Sequence, residues 1–171
     1  MSGRGANETD DLLFAVWAEA VVQPEVPPER LRRQLFDSVG GAARFRPFAA
    51  AVRRIFDLTE RAWSDVVRRI DEASGWKDDI PNATYFHFQP GPACAGAESG
   101  VVRIKQGALF PRHRHLGHEI TFVLDGLLLD RGGSYGPGSV VESETGSEHD
   151  YRAGAGRDLL IVSLHRGIEF V

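Results

Sequence analysis

Four residues of types that bind metal ions, arranged at a fixed spacing, constrain the fold of this chain more than any other feature. His113, His115 and Glu119 lie close together, and His149 follows in a second glycine-rich segment. Three imidazoles and one carboxylate form a ligand set that divalent first-row metal ions favour. Side chains alternate between the two faces of a strand, so one regular strand would present the first three residues to the same ion. The spacing therefore predicts a metal site built on β-structure, with His149 reaching the ion from another segment.

The segment around the first three residues resembles the first motif of the cupin superfamily. From Gly107 to Gly126 the sequence follows the pattern G-x5-HxH-x3-E-x6-G without a gap. The resemblance implies that His113, His115 and Glu119 are metal ligands in a cupin fold.

The segment around the fourth residue is similar to the second cupin motif, which reads G-x5-PxG-x2-H-x3-N. Gly138, Gly146 and His149 match its two glycines and its histidine. Glu144 stands where the motif has proline, and Ala153 stands where it has asparagine. The resemblance makes His149 the fourth expected ligand.

Among cupins, the chain from about Tyr85 to Val171 looks most like the C-terminal domain of ChrR-type anti-sigma factors. In that family an N-terminal helical domain holds a sigma factor, and the C-terminal cupin senses singlet oxygen or related oxidants. The resemblance implies a metal-binding sensor or regulator that responds to an oxidant or small ligand in the cupin pocket. A metal-dependent dioxygenase acting on a small molecule is the alternative, since several cupins are dioxygenases. We expect one divalent ion, zinc in the purified protein, with iron, manganese and nickel also admissible.

Hydrophobic spacing divides the chain into a helical part and a β-rich part. Helices are predicted at about 9–22, 27–39, 47–56 and 60–73, the last preceded by a capping box at Asp57-Leu-Thr-Glu60. From Ala83, short β-rich runs separated by turn residues predict strands at 83–89, 99–106, 118–124, 126–130, 139–142, 158–164 and 167–171. We therefore expect a disordered tail at 1–9, a helical region at 10–76 and a metal-binding cupin domain at 77–171. The predicted fold class is mainly β, a cupin jelly-roll sandwich or barrel preceded by a small α-helical region.

The residues around the expected site receive individual predictions. Thr121 and Val123 share the strand face of Glu119 and are expected to line the pocket, whereas His118 is expected to be exposed or structural. Four apolar residues are candidates for the pocket wall: Phe88, Phe110, Val140 and Leu164. His87 and His165 are expected away from the site, and Cys94 is expected to be an ordinary loop residue, because no basic residue flanks it to lower the pKa of the thiol.

The helical region admits two interpretations. Its apolar faces either hold a partner such as a sigma factor, or they cover the β-sandwich or form a dimer interface. The helical domain of ChrR-type proteins carries a zinc site of His and Cys residues, but this chain has neither residue before His87. We expect a homodimer, because the helical region carries much apolar surface for its size.

Composition excludes several classes of partner and location. The net charge of −4 gives no general attraction to nucleic acid or to anionic membranes. The chain has one cysteine, so no internal disulfide can form. It has no apolar run of membrane-spanning length and no signal-peptide core at the N-terminus. A cytoplasmic protein is expected.

Overall fold

The fold is a sandwich of two antiparallel β-sheets covered on one side by helices. In the computed structural model of the protein, the described residues are Pro28, residues 41–72 and residues 74–171. They contain no helix long and apolar enough to cross a membrane. The expected tail at 1–9 and the expected helices at 9–22 and 27–39 lie outside the described residues, apart from Pro28.

Among the described residues, six strands form sheet A and five strands form sheet B. Sheet A has the order β1-β2-β3-β10-β5-β8, with strands Lys77–Ile80 (β1), Ala83–Phe88 (β2), Glu98–Ile104 (β3), Glu119–Asp125 (β5), Val140–Ser143 (β8) and Leu159–His165 (β10). Sheet B has the order β11-β4-β9-β6-β7, with strands Leu109–His115 (β4), Leu128–Asp130 (β6), Gly133–Tyr135 (β7), Glu148–Ala153 (β9) and Ile168–Phe170 (β11). All pairings are antiparallel, as expected for a jelly roll.

A layer of helices packs on the outer face of sheet A. It comprises a 3₁₀ helix at Gly41–Phe48 and two α-helices at Ala49–Ile55 (α1) and Glu60–Ile70 (α2). Trp63 of α2 belongs to the same buried cluster as Phe86 and Phe122 of the sheet. These helices therefore share one hydrophobic core with the sheet, as the covering interpretation of the helical region predicts.

The start of α2 differs from the predicted capping box. Thr59 is the N-cap, and its side chain accepts a hydrogen bond from the backbone N–H of Ala62. Asp57 has a left-handed backbone with φ of 52°, and its carboxylate accepts a hydrogen bond from the N–H of Ala93 instead. Asp57 therefore joins the helical layer to the loop after β2 and does not cap the helix.

A second buried cluster lies between the two sheets. Val123 and Ile161 of sheet A pack there with Phe110, Leu128 and Tyr151 of sheet B. The outward side chains of sheet A pack under the helices, and its inward side chains face sheet B. Each strand of sheet A near the centre thus contributes to two cores, as alternation along a strand requires.

Candidate metal centre

Three of the four expected ligands come together on two neighbouring strands of sheet B. His113 on β4 lies directly opposite His149 on β9 in the strand register, and His115 follows on the same face as His113. One ligand nitrogen from each of the three histidines lies within 4.8 Å of the others. His113 and His115 are each 1% exposed. The antiparallel pairing therefore brings a distant histidine to the HxH pair.

Hydrogen bonds fix which nitrogen of the two β4 histidines faces the centre. The Nδ1 of His113 lies 2.9 Å from the carbonyl oxygen of Pro111, and the Nδ1 of His115 lies 3.0 Å from that of Ser147. A carbonyl oxygen only accepts hydrogen bonds, so both Nδ1 atoms carry the proton. Both Nε2 atoms consequently present lone pairs, the form in which a neutral imidazole binds a metal ion.

Glu119 reaches the centre from the other sheet. The prediction that one regular strand presents His113, His115 and Glu119 is wrong, because β4 ends at His115 and Glu119 begins β5. Glu119 is nevertheless buried, and its Oε2 lies 3.5 Å from Nε2 of His115. Its Oε1 accepts hydrogen bonds from Thr121 at 2.8 Å and Ser163 at 3.1 Å. One carboxylate oxygen is thus held by sheet A, and the other is turned towards the histidines.

Burial favours the neutral form of two imidazoles of the centre, those of His113 and His149. Desolvation, together with the neighbouring His113 and His115, lowers the pKa of His149 to about 4. Desolvation also lowers the pKa of His113. Neutral imidazoles retain the lone pairs that metal binding needs at neutral pH.

This donor set fits a divalent cation. Among the described residues, the Nε2 of His115 is the one buried side-chain nitrogen or oxygen without a hydrogen-bond partner. The Nε2 atoms of His113 and His149 face each other at 3.1 Å. Imidazole nitrogens and a carboxylate oxygen that converge in this way are stabilised by a cation placed between them. The three histidines can therefore hold a metal ion.

A cavity of about 210 Å³ opens beside the histidines between the two sheets. His113 and Glu119 form part of its wall, and the apolar part includes Phe110, Ile161 and Phe170. Phe110 is thus a wall residue as predicted. Phe88 and Leu164 pack against the helical layer, Val140 is 42% exposed and Val123 lies in the core between the sheets.

Sequence reasoning missed several polar side chains of the cavity, among them two histidines and a tyrosine. His87 and His165 line it, although both were predicted to lie away from the site. Tyr151 also lines it, and its ring stacks on Phe110 with centroids 4.9 Å apart. The signal available was strand parity, since Tyr151 lies two residues after His149 and shares its face. His165 faces inward because it follows Ser163, which contacts Glu119, at the same spacing.

Two further residues agree with their predictions. His118 is exposed and pairs with the exposed Glu142 at 3.2 Å. Burial and the nearby Asp57 raise the pKa of the Cys94 thiol, which opposes formation of a reactive thiolate.

Comparison with known proteins gives a family and a fold. The model of the ChrR cupin-like domain family matches residues 81–167. No curated protein matches the sequence. An RmlC-like cupin protein from Ralstonia eutropha JMP134 is 20% identical with a TM-score of 0.49, and the match covers 56% of this chain and 66% of that protein. The chain thus spans slightly less than two thirds of that protein's length.

Two other solved structures are similar. The structure of Rhodobacter sphaeroides SigE in complex with the anti-sigma ChrR matches with 22% identity and a TM-score of 0.54, covering 91% of this chain and 96% of the matched chain. An acetylacetone dioxygenase from Acinetobacter johnsonii matches with 14% identity and a TM-score of 0.49, covering 58% and 74%. At 22% identity, the likeness to the chain in the SigE–ChrR structure shows a shared fold and no more.

Proposed function

Because the chain belongs to the ChrR cupin-like domain family, we propose that it is a metal-bearing sensor or regulator that responds to an oxidant or a small ligand. The observation that carries the proposal is the convergence of three imidazole nitrogens within 4.8 Å of one another beside an open cavity. The resident group is one divalent ion, zinc in the purified protein, with iron, manganese or nickel as other candidates. When bound, such an ion supplies Lewis acidity and a coordination position that an outside molecule can reach.

Four residues of this chain would hold the ion: His113, His115, Glu119 and His149. The two rings on β4 are oriented through their Nδ1–H groups, and the Glu119 carboxylate is oriented through Oε1. Such outer contacts fix a ligand's direction and tune its affinity for the metal. The cavity leaves room for a small molecule next to the ion.

A single strand supports the regulatory part of the proposal. Glu119 and Thr121 of β5 face the metal centre, whereas Phe122 faces the helical layer, where its ring meets that of Phe48 edge-on at 5.7 Å between centroids. A change in the contacts of Glu119 therefore acts on the strand under the helices. Sensing requires two arrangements of this kind that the state of the metal biases.

The metal part of the proposal is tested by measuring metal content. Protein purified without added metal should carry about one equivalent of a single ion by mass spectrometry. His113→Ala and His149→Ala should lose the ion, because each variant removes one of the three converging imidazole ligands. His118→Ala is the matched control and should keep it, since this exposed histidine pairs with Glu142 outside the centre. Unchanged metal content in His149→Ala would refute the four-ligand site.

The sensing part is tested by hydrogen–deuterium exchange on the metal-loaded protein, the chelated protein and the protein treated with singlet oxygen. We expect faster exchange in α1 and α2 when the metal is removed or the oxidant is applied, because β5 joins the centre to the helices. Changes confined to β4 and β9 would leave the metal site intact as a proposal and refute the regulatory one.

The partner that we propose is a sigma factor, which the family and the fold likeness to the ChrR chain support. Affinity purification from the native organism should recover a sigma factor in a complex that dissociates after oxidation. A homodimer remains our prediction for the free protein, and light scattering coupled to gel filtration measures it. An iron-loaded sample that consumed oxygen with a small molecule, in stoichiometry with product, would favour the dioxygenase alternative.

A further inference from the structure

One tyrosine in the cavity has a hydroxyl group that nothing in the described protein uses. Tyr151 is 5% exposed, and its hydroxyl makes no hydrogen bond with any described residue. Its ring is held by Phe110, stacked at 4.9 Å, and lies 5.4 Å from the ring of His149. Since Tyr151 lines the cavity, its hydroxyl can donate a hydrogen bond to a molecule that enters the cavity.

A second donor faces the same space. The N–H of Gly167 donates to Nδ1 of His165 at 3.1 Å, so the proton of the neutral ring is on Nε2. No described residue accepts a hydrogen bond from that Nε2, and His165 lines the cavity. Tyr151 and His165 thus offer donors without acceptors. A ligand that matches them brings oxygen atoms that accept hydrogen bonds.

The floor of the cavity provides room for such a ligand. Gly100 lies between His87 and Ser163 in the strand register of sheet A, and all three line the cavity. With no side chain at this position, the space between the histidine at the rim and the serine beside Glu119 stays open. The remaining wall is largely apolar, through Val102, Ile161 and other residues. The volume of about 210 Å³ is below the range typical for drug-sized ligands.

Charge selects among oxygen-bearing ligands. A divalent ion held by three neutral imidazoles and the Glu119 carboxylate has a net charge of +1 in a buried setting, which a monoanion neutralises. Glu98, the other acidic residue of the cavity wall, is exposed to solvent, where its charge is screened.

Resting on the proposed metal site, we propose that this cavity binds a small monocarboxylate with an apolar body, and that the Tyr151 hydroxyl donates a hydrogen bond to the carboxylate. The ligand lies between the metal centre and Gly100. Its apolar body packs on the residues of the apolar wall, and His165 provides the second donor.

The test is calorimetric titration of the zinc-loaded full-length protein with benzoate, and with benzamide as the uncharged analogue. We expect benzoate to bind, benzamide to bind at least tenfold more weakly, and Tyr151→Phe to weaken benzoate binding about tenfold, as loss of a hydrogen bond to a charged group does. Tyr135→Phe is the matched control, because it removes a phenol hydroxyl from sheet B outside the cavity lining. It should leave benzoate binding unchanged.

Melting curves separate a binding role from a structural one. Without ligand, Tyr151→Phe should not lower the melting temperature, because the hydroxyl has no partner among the described residues. This inference alone is overturned if the zinc-loaded protein does not bind benzoate, or if Tyr151→Phe binds benzoate as tightly as the wild type does. Failure of the wild type to bind zinc overturns the proposed function and this inference with it.

Discussion

Ser163 provides the sharpest test of how the site is built. Its hydroxyl donates to Oε1 of Glu119 at 3.1 Å, and Thr121 donates to the same oxygen at 2.8 Å. Together they leave Oε2 directed towards His115, at 3.5 Å from Nε2. If Glu119 is a metal ligand, Ser163→Ala frees the carboxylate to rotate away from the ion. The variant changes no ligand and fills no space, so it isolates the orienting contact.

The expected loss of zinc affinity is about tenfold. Removing an outer partner of a metal ligand costs about 10- to 100-fold, and the lower end applies here because Thr121 still holds Oε1. Tenfold corresponds to about 1.4 kcal/mol. The double variant Ser163→Ala/Thr121→Val should lose more than the sum of the two single losses in free energy, because either hydroxyl alone retains part of the orientation.

Ser99→Ala is the matched control for this experiment. Ser99 is also a buried serine of sheet A, but its hydroxyl donates to the carbonyl oxygen of Phe88 at 2.6 Å. Both variants lose one buried hydrogen bond and should destabilise the metal-free protein by about 1 to 2 kcal/mol. Competition titration against a chromogenic chelator should show weaker zinc binding in Ser163→Ala alone. Equal zinc affinity in Ser163→Ala and wild type, or an equal loss in Ser99→Ala, would refute the reasoning.

Three further predictions concern the stability of the metal-free protein, each measured by urea unfolding. Gly126→Ala should lower the free energy of unfolding more than Gly107→Ala does. Both positions have positive φ, but a Cβ at Gly126 would lie 2.5 Å from the carbonyl oxygen of Asp158, whereas a Cβ at Gly107 would meet open space. Equal losses of stability in the two variants would contradict this prediction. The pKa of His149 in the folded protein, about 4, lies below the ordinary value of 6.5, so the unfolded chain takes up the proton first. The free energy of unfolding should therefore fall as the pH drops from about 6.5 to about 4. His149→Gln should make this pH dependence less steep, and an unchanged pH dependence would contradict the argument. Trp63→Ala should cost about 3 to 5 kcal/mol in one cooperative transition, because this residue lies in the core that the helices share with sheet A; two separate transitions would show that the layers unfold independently.

The identity of the site residues could be predicted because their spacing in the sequence determines which strand face each side chain lies on. His113 and His115 share a face through strand alternation, and the structure keeps both inward. A strand was predicted at 118–124 but none over β4, because no apolar alternation marks the segment of the two histidines; the single-strand interpretation therefore left out the turn between His115 and Glu119. Its cause is local: a Cβ at Gly117 would lie 2.5 Å from Cβ of Arg166, so the turn there passes against its neighbour only with glycine. Which residue packs against Gly117 depends on the tertiary structure and could not be predicted from the sequence.

The helical layer shows a second limit of sequence reasoning. Asp57-Leu-Thr-Glu60 satisfies the pattern of a capping box, but two residues in it can cap a helix. The structure selects Thr59, because the Asp57 carboxylate is engaged by the N–H of Ala93 in a distant loop. A local pattern narrows the start of α2 to a few residues, and a long-range hydrogen bond decides among them.

A bulge in β4 explains how the apolar wall and the ligands occupy one face. Phe110 pairs with Tyr151 and His113 pairs with His149, so three residues advance on β4 while two advance on β9. In a regular strand, residues three apart point to opposite faces, and either Phe110 or His113 would face solvent. The extra residue falls at Pro111 and Arg112, where the ladder is interrupted, so a proline that has no N–H to donate is tolerated there. The same irregularity places the Pro111 carbonyl 2.9 Å from Nδ1 of His113. The bulge therefore has two effects: it places Phe110 in the wall of the cavity, and it sets the tautomer of His113. The segment Phe110-Pro-Arg-His113 thus contributes to the site through both its side chains and its backbone.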